Sequence, residues 1–158
     1  MSDIDPAKHG AIEIRLLSDP RYLCGIRELI SGVARRLGFK ELESNHIALA
    51  VDEALANVIR HGYDSSTCCP IWVRVWELES GGIRIVLEDE ARQVDPSCIK
   101  SRDLEDVRPG GLGVHIIHEI MDEVRYEARG DVGMRLTMEK HPASSATVSS
   151  TQKDSPHA

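Results

Sequence analysis

Aromatic residues are scarce in this chain, with one Phe, two Trp and three Tyr among 158 residues. So thin a supply disfavours a surface that stacks nucleic-acid bases. A basic excess is missing too: the formal net charge is −7, which excludes the basic footprint of an unspecific nucleic-acid binder. No apolar run approaches the ~20 residues of a membrane span. The opening "MSDIDPAKHG" has neither a basic start nor an apolar segment, so a secretory signal is not expected. Cys24, Cys68, Cys69 and Cys98 form no C-x-x-C pair, and the adjacent Cys68 and Cys69 make a poor structural bridge. Zinc and a disulfide framework are therefore not expected, and the chain reads as cytoplasmic.

What is present describes one soluble globular domain: 41% hydrophobic residues, 28% charged, and length enough for a proper core. "AIEIRLLSD" alternates like a half-buried strand. Pro20 opens a helix with Leu23, Ile26, Ile30, Val33 and Leu37 at helical spacing, stopped at Gly38. A second helix is expected from Asn45 to His61, N-capped by Ser44, with Ile47, Val51, Ala54, Leu55 and Val58 as its stripe. "PIWVRVWELE" and "GIRIVLEDE" form a hairpin joined at Ser80-Gly81-Gly82, and a third helix runs from about Gly113 to Glu123. "VRYEARG" and "MRLTMEK" close the domain as a second hairpin. The order β-α-α-β-β-loop-α-β-β implies an α/β (α+β) two-layer sandwich, helices on one face of a mixed, mostly antiparallel sheet. Residues 11–141 make the domain, and 142–158, rich in Ser, Thr, Ala and Pro, read as a disordered tail.

Three segments carry chemistry. Glu53, Asn57 and His61 step by four along one helical line at the edge of the apolar stripe. Taken alone, that line is most simply a solvated face. An amide oxygen is nevertheless a hard ligand suited to magnesium, and a carboxylate one turn earlier can take a proton from a hydroxyl. Asp89 emerges at a strand end, where a carboxylate accepts a hydrogen bond from an amino group such as that of adenine. A plain Asp- and Pro-rich turn is as common there. Gly110, Gly111 and Gly113 precede a helix, where bare backbone approaches a ligand and the helix terminus favours an anion. His115 and His118 lack a third ligand, so exposed polar positions describe them better than a metal site. In this order the three segments are the parts of a nucleotide pocket.

"DEALANVIRHGYD" closely resembles the N box of the GHKL superfamily, whose ATP-binding (Bergerat) fold is shared by gyrase, sensor histidine kinases and heat-shock chaperones. "GGLGVHIIHEIMDEV" and "RLTMEK" resemble one branch, the anti-sigma-factor serine/threonine kinases, over nearly all of Ile12–Lys140. The resemblance implies that Asn57 holds Mg2+ and Glu53 is the general base. It implies that Asp89 bonds adenine, that Gly110, Gly111 and Gly113 line the phosphates, and that 91–109 is an ATP lid. Arg60 and Arg108 are its candidates for a basic residue near the phosphates. His61 matches a frequent family His, although a favourable charge at a helix C-terminus explains it equally.

One position departs from the family. The glycine of its D-x-G motif is Ala91 here. If that position needs positive φ, the methyl costs on the order of 1–2 kcal/mol, about a tenfold loss of ATP affinity, and Ala91→Gly should tighten binding. The expected activity is ATP- and Mg2+-dependent phosphorylation of a STAS-type anti-sigma-factor antagonist on Ser or Thr. Sequestration of a sigma factor accompanies it, without direct contact with nucleic acid or membrane, and a homodimer is compatible with the family. The rivals are a non-catalytic partner-switching module of the same fold, favoured by Ala91, and a switch kinase or ATPase of another phosphorelay.

Overall fold

The computed structural model describes residues 10–79, 81–99 and 111–143. Strand β1 (Ile12–Leu17) leads through a 3-10 turn (Pro20–Tyr22) into helix α1 (Leu23–Arg36). The Asp19 carboxylate accepts the Arg21 amide at 3.0 Å, capping that turn. Helix α2 spans Glu41–Asn57 and continues as one π-helical turn, Val58–Gly62. Strands β2 (Pro70–Glu77) and β3 (Ile83–Asp89), helix α3 (Leu112–Ile120) and strands β4 (Glu123–Ala128) and β5 (Met134–Lys140) follow.

The start of α2 differs from the sequence expectation. Ser44 is no N-cap: it is buried inside the helix, with its hydroxyl donating to the Phe39 carbonyl at 3.4 Å. The helix begins earlier because Glu43 reaches back to accept the Lys40 amide at 3.2 Å. Glu41 and Glu43 also place negative charge against the positive end of the dipole.

The sheet order is β1-β2-β3-β5-β4, and all four pairings are antiparallel. Period-two alternation then sorts the side chains. Ile71, Val73, Val75, Ile83, Ile85, Leu87, Leu136 and Met138 are buried and pack with Ile30, Ile47, Val51, Leu55 and Ile117 from the helices. Helix α2 contacts α1 and α3, so its C-terminal half is held in the middle of the helical layer. The other sheet face carries charge. Glu88, with its side chain 4% exposed, is gripped by Arg74 and Arg135, and Arg129 stacks over Trp72 at 4.6 Å. Those two arginines hold the Glu88 carboxyl below the usual carboxylate range, although burial opposes them. The tail expected over 142–158 lies, beyond residue 143, outside the described residues.

Candidate functional site

Helix α2 sorts its acids by partner. Asp52 turns to α1 and pairs with Arg27 at 3.4 Å, whereas Glu53 and Asn57, both half-buried, face the start of α3. Gly113 lies directly against them. A Cβ there would sit 2.6 Å from Glu53 Oε2 and 3.4 and 3.5 Å from the two Asn57 amide atoms. The missing side chain is thus what lets the glycine turn close over the acidic-amide helix. Gly111, at φ 108°, is the residue from which α3 begins, a left-handed conformation that glycine adopts freely. The first turn of α3 leaves amides without helical partners.

Arg60 leans back along α2. Its Nε donates to the Ala56 carbonyl at 3.3 Å, and its Nη2 lies 3.9 Å from Glu53 Oε2. Its side chain is 56% exposed. A cation therefore stands over the carboxylate without sealing it. Arg108 and Gly110, which the sequence also nominated, lie outside the described residues, as does most of the expected lid.

The second half of the site is the turn after β3. Asp89 is buried, and one oxygen, Oδ1, accepts the amides of Ala91 at 2.9 Å and Met134 at 3.1 Å. Among the described residues no hydrogen bond engages Oδ2, and that atom is not sealed from solvent. Burial pushes the Asp89 carboxyl above its ordinary value of 3.8, against the two amides and Arg129. Gly133, at φ 83°, lets the β4–β5 hairpin meet this turn. A Cβ there would overlap the Asp89 carbonyl oxygen, and the Gly133 amide donates to the Ala91 carbonyl at 2.9 Å.

Ala91 corrects an expectation. Its φ is not positive: among the described residues only Asp64 and Ser65 are non-glycine residues with positive φ. The methyl therefore carries no left-handed strain. It is buried against Gly62, where a Cβ would come within 3.0 Å of it. The residue that accommodates the alanine is a glycine across the site.

The segments thus converge at both ends of one helical stretch. Glu53 and Asn57 meet Gly113, while Gly62 and Tyr63 meet the Asp89–Ala91 turn. Tyr63, Gly133 and the Met134 amide were missed in the sequence, because their roles arise from contacts between residues far apart in the chain. Among the described residues His115 and His118 belong to no metal-capable group. The one such group among the described residues is Glu123, Glu139 and His141, at the far end of β5. Glu53 and Asn57 do not make a protein-only metal cage. The Asn57 amide oxygen suits Mg2+, which keeps waters and takes phosphate oxygens as its other ligands. Among the described residues no helix is long and apolar enough to cross a membrane.

The chain and its fold have counterparts among known proteins. Over 137 residues the chain is 28% identical to the protein named serine-protein kinase RsbW of Halalkalibacterium halodurans, covering 82% of each. The SiaB–SiaC complex from Pseudomonas aeruginosa contains a chain of the same fold, with TM-score 0.66 and 14% identity, covering 82% of this chain and 89% of that one. The histidine kinase domain of a blue-light-activated kinase from Erythrobacter litoralis gives TM-score 0.51 at 20% identity. The match takes in 76% of this chain but spans only 59% of that domain. The model of the histidine kinase-like ATPase domain matches residues 16–140, and the chain belongs to that family.

Proposed function

We propose that the protein is an ATP- and Mg2+-dependent protein serine/threonine kinase that also acts as an anti-sigma-type binding switch. The observation that carries this reading is the seating of Gly113 on Glu53 and Asn57. It brings a candidate base, a candidate metal ligand and a helix N-terminus to one point. A relative 28% identical over most of its length is named a serine-protein kinase, which supports the choice of hydroxyl substrate.

The residues present fit the nucleotide and its metal. Asp89 offers Oδ2 to an amino group while Oδ1 is held by two amides, so the carboxylate is aimed before a ligand arrives. Asn57 would hold Mg2+ by its amide oxygen, with Gly111, Gly113 and the N-terminal end of α3 toward the phosphates. Gly110 and Arg108 extend that set by family resemblance. When bound, Mg2+-ATP supplies the transferable phosphoryl group and neutralises its charge. Glu53 Oε2 accepts the proton of the incoming Ser or Thr hydroxyl, and Arg60 stands beside the developing charge. Ala91 and Gly62 close the wall by the Asp89 turn. Positioning and charge suffice, because phosphoryl transfer asks little covalent chemistry of the protein.

The substrate in this reading is a small STAS-type anti-sigma-factor antagonist in the cytoplasm. Its phosphorylation leaves the kinase, acting through residues 11–141, free to sequester a sigma factor. The non-catalytic alternative rested on Ala91, and the relaxed backbone of that residue removes its main support. Replacement of Glu53 by Gln tests the assignment. Glu53→Gln should bind nucleotide and partner as the parent does, yet transfer phosphate ~10²–10⁴-fold more slowly. Transfer from labelled ATP at the parent's rate would remove Glu53 as the base.

A further inference from the structure

Tyr63 stands where the two halves of the site join, and no part of the kinase reading uses it. The helix that precedes it ends irregularly. Its last turn is π-helical, closed by the Tyr63 amide donating to the Val58 carbonyl at 2.9 Å. Asp64 (φ 49°) and Ser65 (φ 63°) follow, and the Ser65 amide donates to the Ile59 carbonyl at 2.7 Å. Single π turns occur often at functional sites, and left-handed non-glycine residues persist only where surroundings enforce them. Here the irregular stretch delivers one side chain to one place. The Tyr63 hydroxyl donates to the Pro70 carbonyl at 2.6 Å and accepts the Glu90 amide at 2.7 Å.

The Glu90 amide belongs to the peptide that links Asp89 to Glu90. Its carbonyl, that of Asp89, accepts Arg129 Nη1 at 3.2 Å and abuts Gly133. The next amide, of Ala91, holds Asp89 Oδ1. One hydroxyl from the end of α2 therefore fixes the peptide plane on which the Asp89 carboxylate turns. The ring alone accounts for packing, since it lies partly buried against the core. The hydroxyl is what remains to be explained.

We propose that Tyr63 is a positioning residue for base recognition: its hydroxyl latches the Glu90 amide and so aims Asp89 Oδ2 at the amino group of an adenine nucleotide. This rests on the ATP-binding reading above. Burial also pushes the Tyr63 hydroxyl up to about 12, so it stays protonated and keeps both hydrogen bonds at neutral pH. Discrimination follows from the aim of the carboxylate. Guanine presents a carbonyl where adenine has its amine, and a carboxylate oxygen held toward that point attracts one and repels the other.

Tyr63→Phe in the full chain keeps the ring and removes the latch. Calorimetry with Mg2+-ATP and Mg2+-GTP should show the ATP dissociation constant raised roughly five- to tenfold, the loss of about one oriented hydrogen bond. The GTP constant should move less than about twofold, so the ATP/GTP preference falls by about the same factor. Amide hydrogen exchange at Glu90 should accelerate in the variant. A merely structural Tyr63 would lower the melting temperature and leave the ATP/GTP ratio where it was, and that outcome overturns the proposal. A parent protein that binds neither nucleotide would instead sink the ATP reading on which the proposal stands.

Discussion

Gly113→Ala should make this protein more stable and a far worse enzyme. Gly113 is the second residue of α3, and its φ is not in the positive range, so alanine fits the backbone. Replacing a helical glycine by alanine stabilises by about 0.4–1 kcal/mol, largely by narrowing the unfolded ensemble. For a chain of this size that raises the melting temperature by about 2–4 °C per kcal/mol. The new methyl, however, meets Glu53 Oε2 at 2.6 Å, whereas ordinary contact begins at 3.4 Å. The carboxylate must retreat by the difference, 0.8 Å. Its side chain is 27% exposed and can move outward toward Arg60, so the fold absorbs the change. The chemistry does not, because a displacement of ~1 Å at a catalytic group costs about 10²-fold in rate, or ~2.7 kcal/mol of barrier. Thermal melts should show the gain, and single-turnover transfer from labelled ATP to a STAS partner should show the loss. Parent-like transfer by a folded Gly113→Ala variant would refute the claim that Glu53 works from beneath Gly113.

Ala91→Gly, expected from sequence to tighten nucleotide binding, should instead leave the ATP dissociation constant unchanged by calorimetry. It should also lower stability by about 1–2 kcal/mol in urea melts, from one lost buried methyl and added chain entropy. The raised carboxyl of Asp89 sets a pH dependence. Its folded value exceeds the unfolded one, so it binds more protons folded than unfolded within that window. Relative to Asp89→Asn, the free protein should therefore gain stability as pH falls through the window above 3.8. Nucleotide affinity should fall over the same window, because only the ionised carboxylate accepts at both oxygens; pH-resolved melts and binding curves check both signs. On the opposite sheet face, Glu88→Ala strips the common partner from Arg74 and Arg135. It should cost about 3 kcal/mol by denaturant unfolding, the low end for a broken buried pair because Arg135 is half exposed.

Local signals were strong enough to place the five strands and the three α-helices among the described residues, but not the π-helical turn at Val58–Gly62 or the 3-10 turn at Pro96–Cys98. The alternation of "AIEIRLLSD", the helical spacing from Leu23 to Leu37 and the glycines at turns are short-range patterns, and neighbouring residues decide them. The start of α2 was missed because Glu43 and the buried Ser44 exchanged roles. A side chain that caps in one register packs in another, and only the core settles the register. Glu53, Asn57 and Asp89 were nominated through the family resemblance of their segments, since their spacing alone fits a solvated helix face and a plain turn equally well. Tertiary structure alone decided what surrounds them. The Ala91 carbonyl is bound by the Gly133 amide of the β4–β5 hairpin, and its methyl is accommodated by the bare Gly62. Gly113 touches Glu53 across sixty positions of sequence, and Tyr63 reaches Glu90 across 27. Such pairings depend on which faces pack together, a property of the whole buried core rather than of any local stretch.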